Sequence, residues 1–600
     1  MSSDKPWLKL FPRSFVAADL VMQSWADIEP YFAKLSQRDL HTTAELEAWL
    51  ADWSEAQSVV EEFASVRYVE MTCHTDDEDK KNAYLECVRE VEPKLIEWEN
   101  KLDHKYYDSP LRARLNPRRF QQFDRRKKAD IELFTEKNIP LGVRLQELSQ
   151  KYQEVMGAMT VEFEGKERTM PQMAQFMREP DRGLRERAHR ASAQRRLVEK
   201  EKLDLLFDEM LQVRGEFAAN LGLNDYREYC FRSKLRDYTP EDCLQFHESI
   251  KNTAVPLAGK LIEKRRNALG LGSVAPWDTE CDEKGRPPLK PFTEPEKLAQ
   301  GVTDIFMRLD PRLGERFDSI RHSMDLDSRK GKAPGGYQTT FSERRIPFIF
   351  TNAVGSQTDV NTLLHEGGHA FHTMESRTQP LTWYRHAAME FSEVASMSME
   401  LLGGRELDPF YDKKEERDRA RAEHLRHVVD IFGWVAMVDA FQHWLYTHPG
   451  HSHAQRDDKW VELYRKFSPE IDWSTATQGA LRSLWHRQLH IFEVPFYYIE
   501  YAIAQLGALQ IYRNYRAQGK IFEEINSALA TNGARAILSE ETLESIRPRR
   551  VVDQYLNALA RGGSAPAPDL FEAAAIKFDF SENVLGRLMG MVEAEIGDLG

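Results

Sequence analysis

Apolar residues recur at three- and four-residue spacing between charged ones over most of the chain, as in LDLLFDEMLQVRGEFAANLG at 203–222, where the pattern stops at a glycine suited to a helix C-terminus. That spacing predicts a mainly α-helical protein. Strand patterning is confined to short stretches. MTVEFEGKERT predicts a hairpin near 159–170 turning on Gly165, and GYQTTF with IPFIFTN predicts two short paired strands, which puts a small β-sheet beside a large helical body. The Pro- and Gly-rich run from Gly270 to Glu296 reads as a surface connection, and RGGSAPAPD near the end as another. No internal repeat is present. The boundary between an N-terminal helical lobe, 1–200, and a second lobe, 201–600, is placed near residue 200.

A chain of 600 residues can bury a sizeable core. With 41% hydrophobic and 30% charged residues it has the balance of a folded globular protein. The formal net charge of -14 argues against nucleic acid or an anionic membrane as partner, since either needs clustered Lys and Arg. Basic runs such as Arg125-Arg126-Lys127-Lys128 sit in mixed-charge helical sequence and read as solvated faces. The opening MSSDKPWLKLFPRSF lacks the apolar stretch of a secretory leader, so a cytoplasmic location is expected. Cys73, Cys87, Cys230, Cys243 and Cys281 are odd in number and widely spaced, which suggests free thiols rather than a disulfide framework or a thiolate knuckle.

Chemistry enters at SQTDVNTLLHEGGHAFHTMES. Ser356 followed by Asp359 has the form of a capping box, and an apolar helical pattern follows. His365 and His369, four apart on that helix, return to one face and can share a metal, while Glu366 faces the neighbouring open side, the H-E-x-x-H arrangement of zinc peptidases. Gly367 and Gly368 sit mid-helix, where each costs about 1 kcal/mol relative to Ala, so a close approach by another backbone or by substrate is expected there. A catalytic zinc needs a third protein ligand. The next helical pattern offers Glu390, Glu393 and Glu400. The extended metzincin motif fails, because His372 and Glu375 stand where Gly and His are required. Glu393 is preferred as the ligand on spacing, with Glu390 and Glu400 expected to orient the histidines and His372 to be a core or supporting group.

HEGGHAFH followed by EFSEVASMSMEL resembles the thimet oligopeptidase and oligoendopeptidase F family of zinc peptidases, and HIFEVPFYYIEYAIAQLGALQIY at 490–512 is similar to the C-terminal segment of its oligoendopeptidase F and Pz-peptidase branch. DRGLRERAHRA, KAPGGYQTTF and FEAAAIKFDF extend the likeness over roughly 140–590. The resemblance implies a two-lobed helical zincin with a deep channel that admits short unstructured peptides. It implies one Zn2+ on His365, His369 and Glu393, with Glu366 as general base toward a zinc-bound water. It also implies a His and two Tyr over the scissile carbonyl, which match His490, Tyr501 and either Tyr497 or Tyr498, with Tyr498 taken here.

The glycine loop at Gly335, Gly336 and Tyr337 lacks the order of a phosphate loop and better suits a substrate backbone added to the sheet edge. His443, His448, His451 and His453 resemble a second metal cluster, but a turn with exposed histidines is the preferred reading. Competing functions are a dipeptidyl carboxypeptidase, which would need a basic residue to grip the substrate carboxylate, and a catalytically silent peptide-binding protein. Oligomeric state is not legible.

Overall fold

The helical periodicity becomes a succession of helices in the computed structural model, which describes residues 10–329, 331–532 and 549–599, without the side chains of 521–532. The first nine residues, on which the leader expectation largely rests, lie outside these. The protein is mainly α, as the spacing predicts. No described helix is long and apolar enough to cross a membrane.

Two large apolar cores organise most of the helices. One, built from Trp25, Phe32, Trp49, Trp53 and Phe123, gathers the N-terminal helices and takes in Leu381 and Tyr384 from far along the chain. Within it the buried Lys127 ammonium pairs with Asp103 at 2.8 Å and lies 4.7 Å from the ring centres of both Trp53 and Trp383. The larger core runs from Leu148 to Ile596 and encloses the elements that carry the chemistry.

Two small sheets interrupt the helices. β1 (Thr160–Phe163) and β2 (Lys166–Thr169) form the expected hairpin, and Glu164 and Gly165 both take positive φ, as a two-residue primed turn requires. β3 (Met324–Asp327), β4 (Tyr337–Phe341) and β5 (Ile346–Ala353) make the second sheet in the order β3-β5-β4. β4 and β5 pair antiparallel, as expected from the sequence. β3, parallel to β5, was not expected, because MDLD is too short and polar to carry a strand pattern. β4 is thus an edge strand, and β5 leads directly into the helix that holds the H-E-x-x-H motif.

The segment from Gly270 to Glu296 departs from the surface connection expected of it. Trp277 and Asp278 are buried, and Asp278 accepts hydrogen bonds from both Arg182 and Arg185 of the DRGLRERAHRA stretch. Proline and glycine signalled irregular backbone correctly, but irregular backbone can be anchored inward when charged partners satisfy it.

Candidate metal centre

The motif helix (Gln357–Ser376) begins at the expected capping box. Ser356 Oγ accepts from the Asp359 amide at 3.3 Å, and Asp359 Oδ2 accepts from the amides of Ser356 and Val354 at 2.7 and 2.9 Å. This fixes the helix start against β5 and so sets the rotation at which His365 and His369 emerge. Residues 377–388 then connect to the carboxylate helix (Met389–Gly403), where Glu393 lies little more than one turn in.

Gly368 explains how the two helices meet. A Cβ at that position would lie 2.5 Å from both Ala395 O and Ser396 Cα, so only glycine lets the motif helix reach the backbone beside Glu393. Of the two partners expected for the mid-helix glycines, the one found here is backbone; at Gly367 it is the Phe306 ring, 2.8 Å from an added Cβ. Gly368→Ala should therefore destabilise the protein by roughly 3 kcal/mol through overpacking. Thermal melting of the chelated protein checks this, and a melting temperature at or above the parent's would refute the packing argument.

His365, His369 and Glu393 each present a ligand atom, all within 4.8 Å of one another. Both imidazole Nε2 atoms converge on Glu393 Oε2, at 3.3 and 3.4 Å. His365 Nδ1 donates to Glu400 Oε1 at 2.7 Å, which leaves the Nε2 lone pair for a metal, and His424 Nε2 holds the other Glu400 oxygen at 3.0 Å. Burial alone would raise the Glu393 carboxyl, but the two imidazoles hold it well below the usual carboxylate range.

Glu390 corrects the sequence reading. It is buried in the field of Arg236 and Glu500, not against the histidines. Residues seven apart, such as 393 and 400, return to nearly one helix face, whereas 390 and 400 diverge by about 80°. His372 is likewise a core group: its ring packs 6.3 Å from Phe391, and burial lowers its pKa to about 3.

Glu366 is 5% exposed and lines a cavity of about 930 Å³ together with Gly336, His365, His490, Tyr498 and Tyr501. Its Oε2 has no hydrogen-bond partner among the described residues. Burial holds its carboxyl above the usual range, opposed by the two imidazoles, which suits a proton acceptor. Tyr337 does not reach the cavity with its ring, which stacks on Phe350 at 4.7 Å while its hydroxyl bonds Thr72 Oγ1 at 2.6 Å.

The segment from His490 to Tyr501 faces the same cavity. Gln488 Nε2 donates to His490 Nδ1 at 2.7 Å, so His490 Nε2 carries the proton and points to the Tyr501 hydroxyl at 3.2 Å. Burial lowers the His490 pKa to about 4, which keeps the ring neutral at physiological pH. The two adjacent tyrosines separate: Tyr497 donates to Glu393 Oε1 at 2.5 Å, while Tyr498 lines the cavity with its ring 4.9 Å from that of His490. Phe496 holds a left-handed φ of 60°, unusual for a bulky residue. Its carbonyl is bound by Arg236, which also donates to Glu500 at 2.9 Å, and Arg214 binds the Phe492 carbonyl and the Tyr446 hydroxyl. Neither buried arginine was singled out from the sequence, where Arg214 sits in a helical pattern and Arg236 in a short connection between helices.

The turn histidines do not converge. His448 is exposed and His451 packs its ring at a tilt 4.8 Å from that of Trp444, while His453 pairs with Asp208 at 2.5 Å. His443, by contrast, is buried in the preceding helix.

A family model described as Peptidase family M3 matches residues 175–589, and one described as Peptidase M3 N-terminal domain matches residues 18–134. Oligopeptidase PepF of Bacillus subtilis (strain 168) is 23% identical over 345 residues, 56% of this chain and 45% of that protein. Oligoendopeptidase F, chromosomal, of Lactococcus lactis subsp. cremoris is 26% identical over 179 residues, 30% of this chain and 29% of that one. The chain thus matches less than half the length of either relative. The solved structure of Pz peptidase A with an inhibitor superposes with a TM-score of 0.86 at 26% identity, covering 96% of this chain and 97% of that one. Because the first family model spans well over half the sequence and every residue of the centre, the chain belongs to peptidase family M3.

Proposed function

We propose that the protein is a zinc-dependent endopeptidase that hydrolyses short, unstructured peptides within its central cavity and, as the sequence leads one to expect, works in the cytoplasm. The observation that carries this reading is the convergence of His365, His369 and Glu393, with His365 lining a cavity that also holds Glu366 and its unpartnered Oε2. Two imidazoles and a carboxylate are the donor set of a catalytic zinc with an open position. When bound, zinc supplies a Lewis acid that makes water acidic enough to lose a proton near neutral pH.

The remaining work falls to side chains. Glu366 accepts the water proton and returns it to the leaving amine. The neutral His490 and the hydroxyls of Tyr501 and Tyr498 offer donors to the carbonyl oxygen as it gains charge. Tyr497, bound to Glu393, positions the metal ligand instead. The edge strand β4 and the Gly335-Gly336 loop, which leaves room beside Glu366, suit a peptide backbone laid along the sheet.

Glu400→Gln should weaken zinc affinity by about 10- to 100-fold, because the buffer between His365 and His424 loses its charge. Competition titration against a zinc chelator reads this, and unchanged affinity would remove Glu400 from the centre.

One observation favours a carboxypeptidase-like second reading. Arg196 and Arg487 line the cavity, and burial lowers the pKa of both. Burial and the Arg487 charge lower Arg196 to about 10, a cost that a substrate carboxylate would relieve. Product masses from one peptide with capped ends, set against the same peptide with a free C-terminus, separate the two. Internal cleavage of the capped form supports the endopeptidase; cleavage only of the free form, near its C-terminus, overturns it.

A further inference from the structure

A second group of metal-binding side chains lies away from the cavity, between the helix Pro240–Ala268 and the long helix Lys414–Thr447. Cys243, Asp439 and His443 present ligand atoms that all lie within 4.8 Å of one another, and all three are buried. His247 lies beside this group, with its Nε2 2.9 Å from Asp439 Oδ2. We infer that these four residues form a second, structural zinc site.

Three features point to a metal rather than a hydrogen-bonded core. First, the four residues are two i,i+4 pairs, Cys243 with His247 and Asp439 with His443, so each helix turns two ligands to one face. Second, the geometry repeats that of the catalytic centre. There two imidazole Nε2 atoms converge on one carboxylate oxygen at 3.3 and 3.4 Å, and here they do so at 2.9 and 3.2 Å. Third, a polar atom is left over: Asp439 Oδ1 is buried and has no hydrogen-bond partner among the described residues. An unpartnered oxygen on a carboxylate at 0% exposure is costly. Zinc with one thiolate, one carboxylate and two imidazoles sums to zero charge.

Cys243, Asp439 and His443 supply three ligands, and His247 closes the fourth position by exchanging its bond to Asp439 for the metal. Four protein ligands leave no room for a reacting water, so the site is structural. Arg227, 3.4 Å from His443 Nδ1, moves aside, because a metal-bound imidazole presents a proton there. Zinc binding transfers the Cys243 thiol proton to solvent and leaves the thiolate on the metal. The site braces the turn that aims the tyrosines. The neighbouring Gln442 accepts from the Phe496 amide at 3.3 Å, and the His443 ring lies 5.2 Å from that of Phe496.

Metal analysis of the full chain, purified without chelator, tests this. Two zinc ions per chain are expected, one remaining in Cys243→Ser and one in His369→Ala. The cobalt-substituted protein should show a thiolate-to-cobalt charge-transfer band that survives His369→Ala and vanishes in Cys243→Ser, because the catalytic centre contains no thiol. A single zinc in the parent protein, lost in His369→Ala, would overturn the proposal, as would cobalt-loaded parent protein without a thiolate band; the second result is read on the parent protein alone. A single zinc lost only in Cys243→Ser would support this site and overturn the catalytic one.

Discussion

Glu366→Gln should lower kcat by roughly 10²- to 10⁴-fold while the protein keeps its metal and its fold, the range expected when a positioned proton acceptor is removed. The side chain lines the cavity and makes no bond to His365, His369 or Glu393, so its amide analogue leaves the ligand set untouched. Burial raises the carboxyl above its ordinary range, which makes it a better base than a surface glutamate. Steady-state kinetics together with zinc content measures this. Turnover within a few-fold of the parent would show that another group takes the proton.

Tyr501→Phe is the second large effect. Removing one donor aimed at a developing oxyanion costs about 10²- to 10³-fold in kcat, with KM little changed, because the interaction strengthens only as charge builds. Tyr501 is the hydroxyl that His490 Nε2 meets at 3.2 Å, and His490 is fixed in one tautomer by Gln488, so its proton is aimed before substrate arrives. Tyr497→Phe acts differently. It removes a hydrogen bond to Glu393 and should weaken the metal more than the chemistry. A Tyr501→Phe enzyme that changed only in KM would make this residue a binding contact.

Much of the site is readable because it rests on local periodicity. Positions 365, 366 and 369 follow from one helix, and the face shared by 393 and 400 from the next. The capping box and the Gly165 hairpin are equally local, since each is written within a few residues. What escaped detection depends on long-range contact. That Gly368 abuts Ala395, that Glu390 turns toward Arg236, and that His424 holds Glu400 are consequences of which helices pack together. The same holds for Cys243, His247, Asp439 and His443, which sit on two helices far apart in sequence, Pro240–Ala268 and Lys414–Thr447, and meet only because those helices pack together. The histidine cluster around Pro449 attracted notice by proximity along the chain, yet only its buried member, His443, lies in that group. Tyr497 and Tyr498 were equivalent by spacing and separate only once the turn at Phe496 assigns one to Glu393 and the other to the cavity.

The central claim is metal-dependent peptide hydrolysis at His365, His369 and Glu393. Its most direct test is the rate of cleavage of an internally quenched, end-capped short peptide before chelation, after chelation and after stoichiometric zinc is returned. Loss on chelation with recovery on zinc, and no recovery in His369→Ala, is the expected result. Cleavage that persists through chelation, or that His369→Ala retains, would contradict the account.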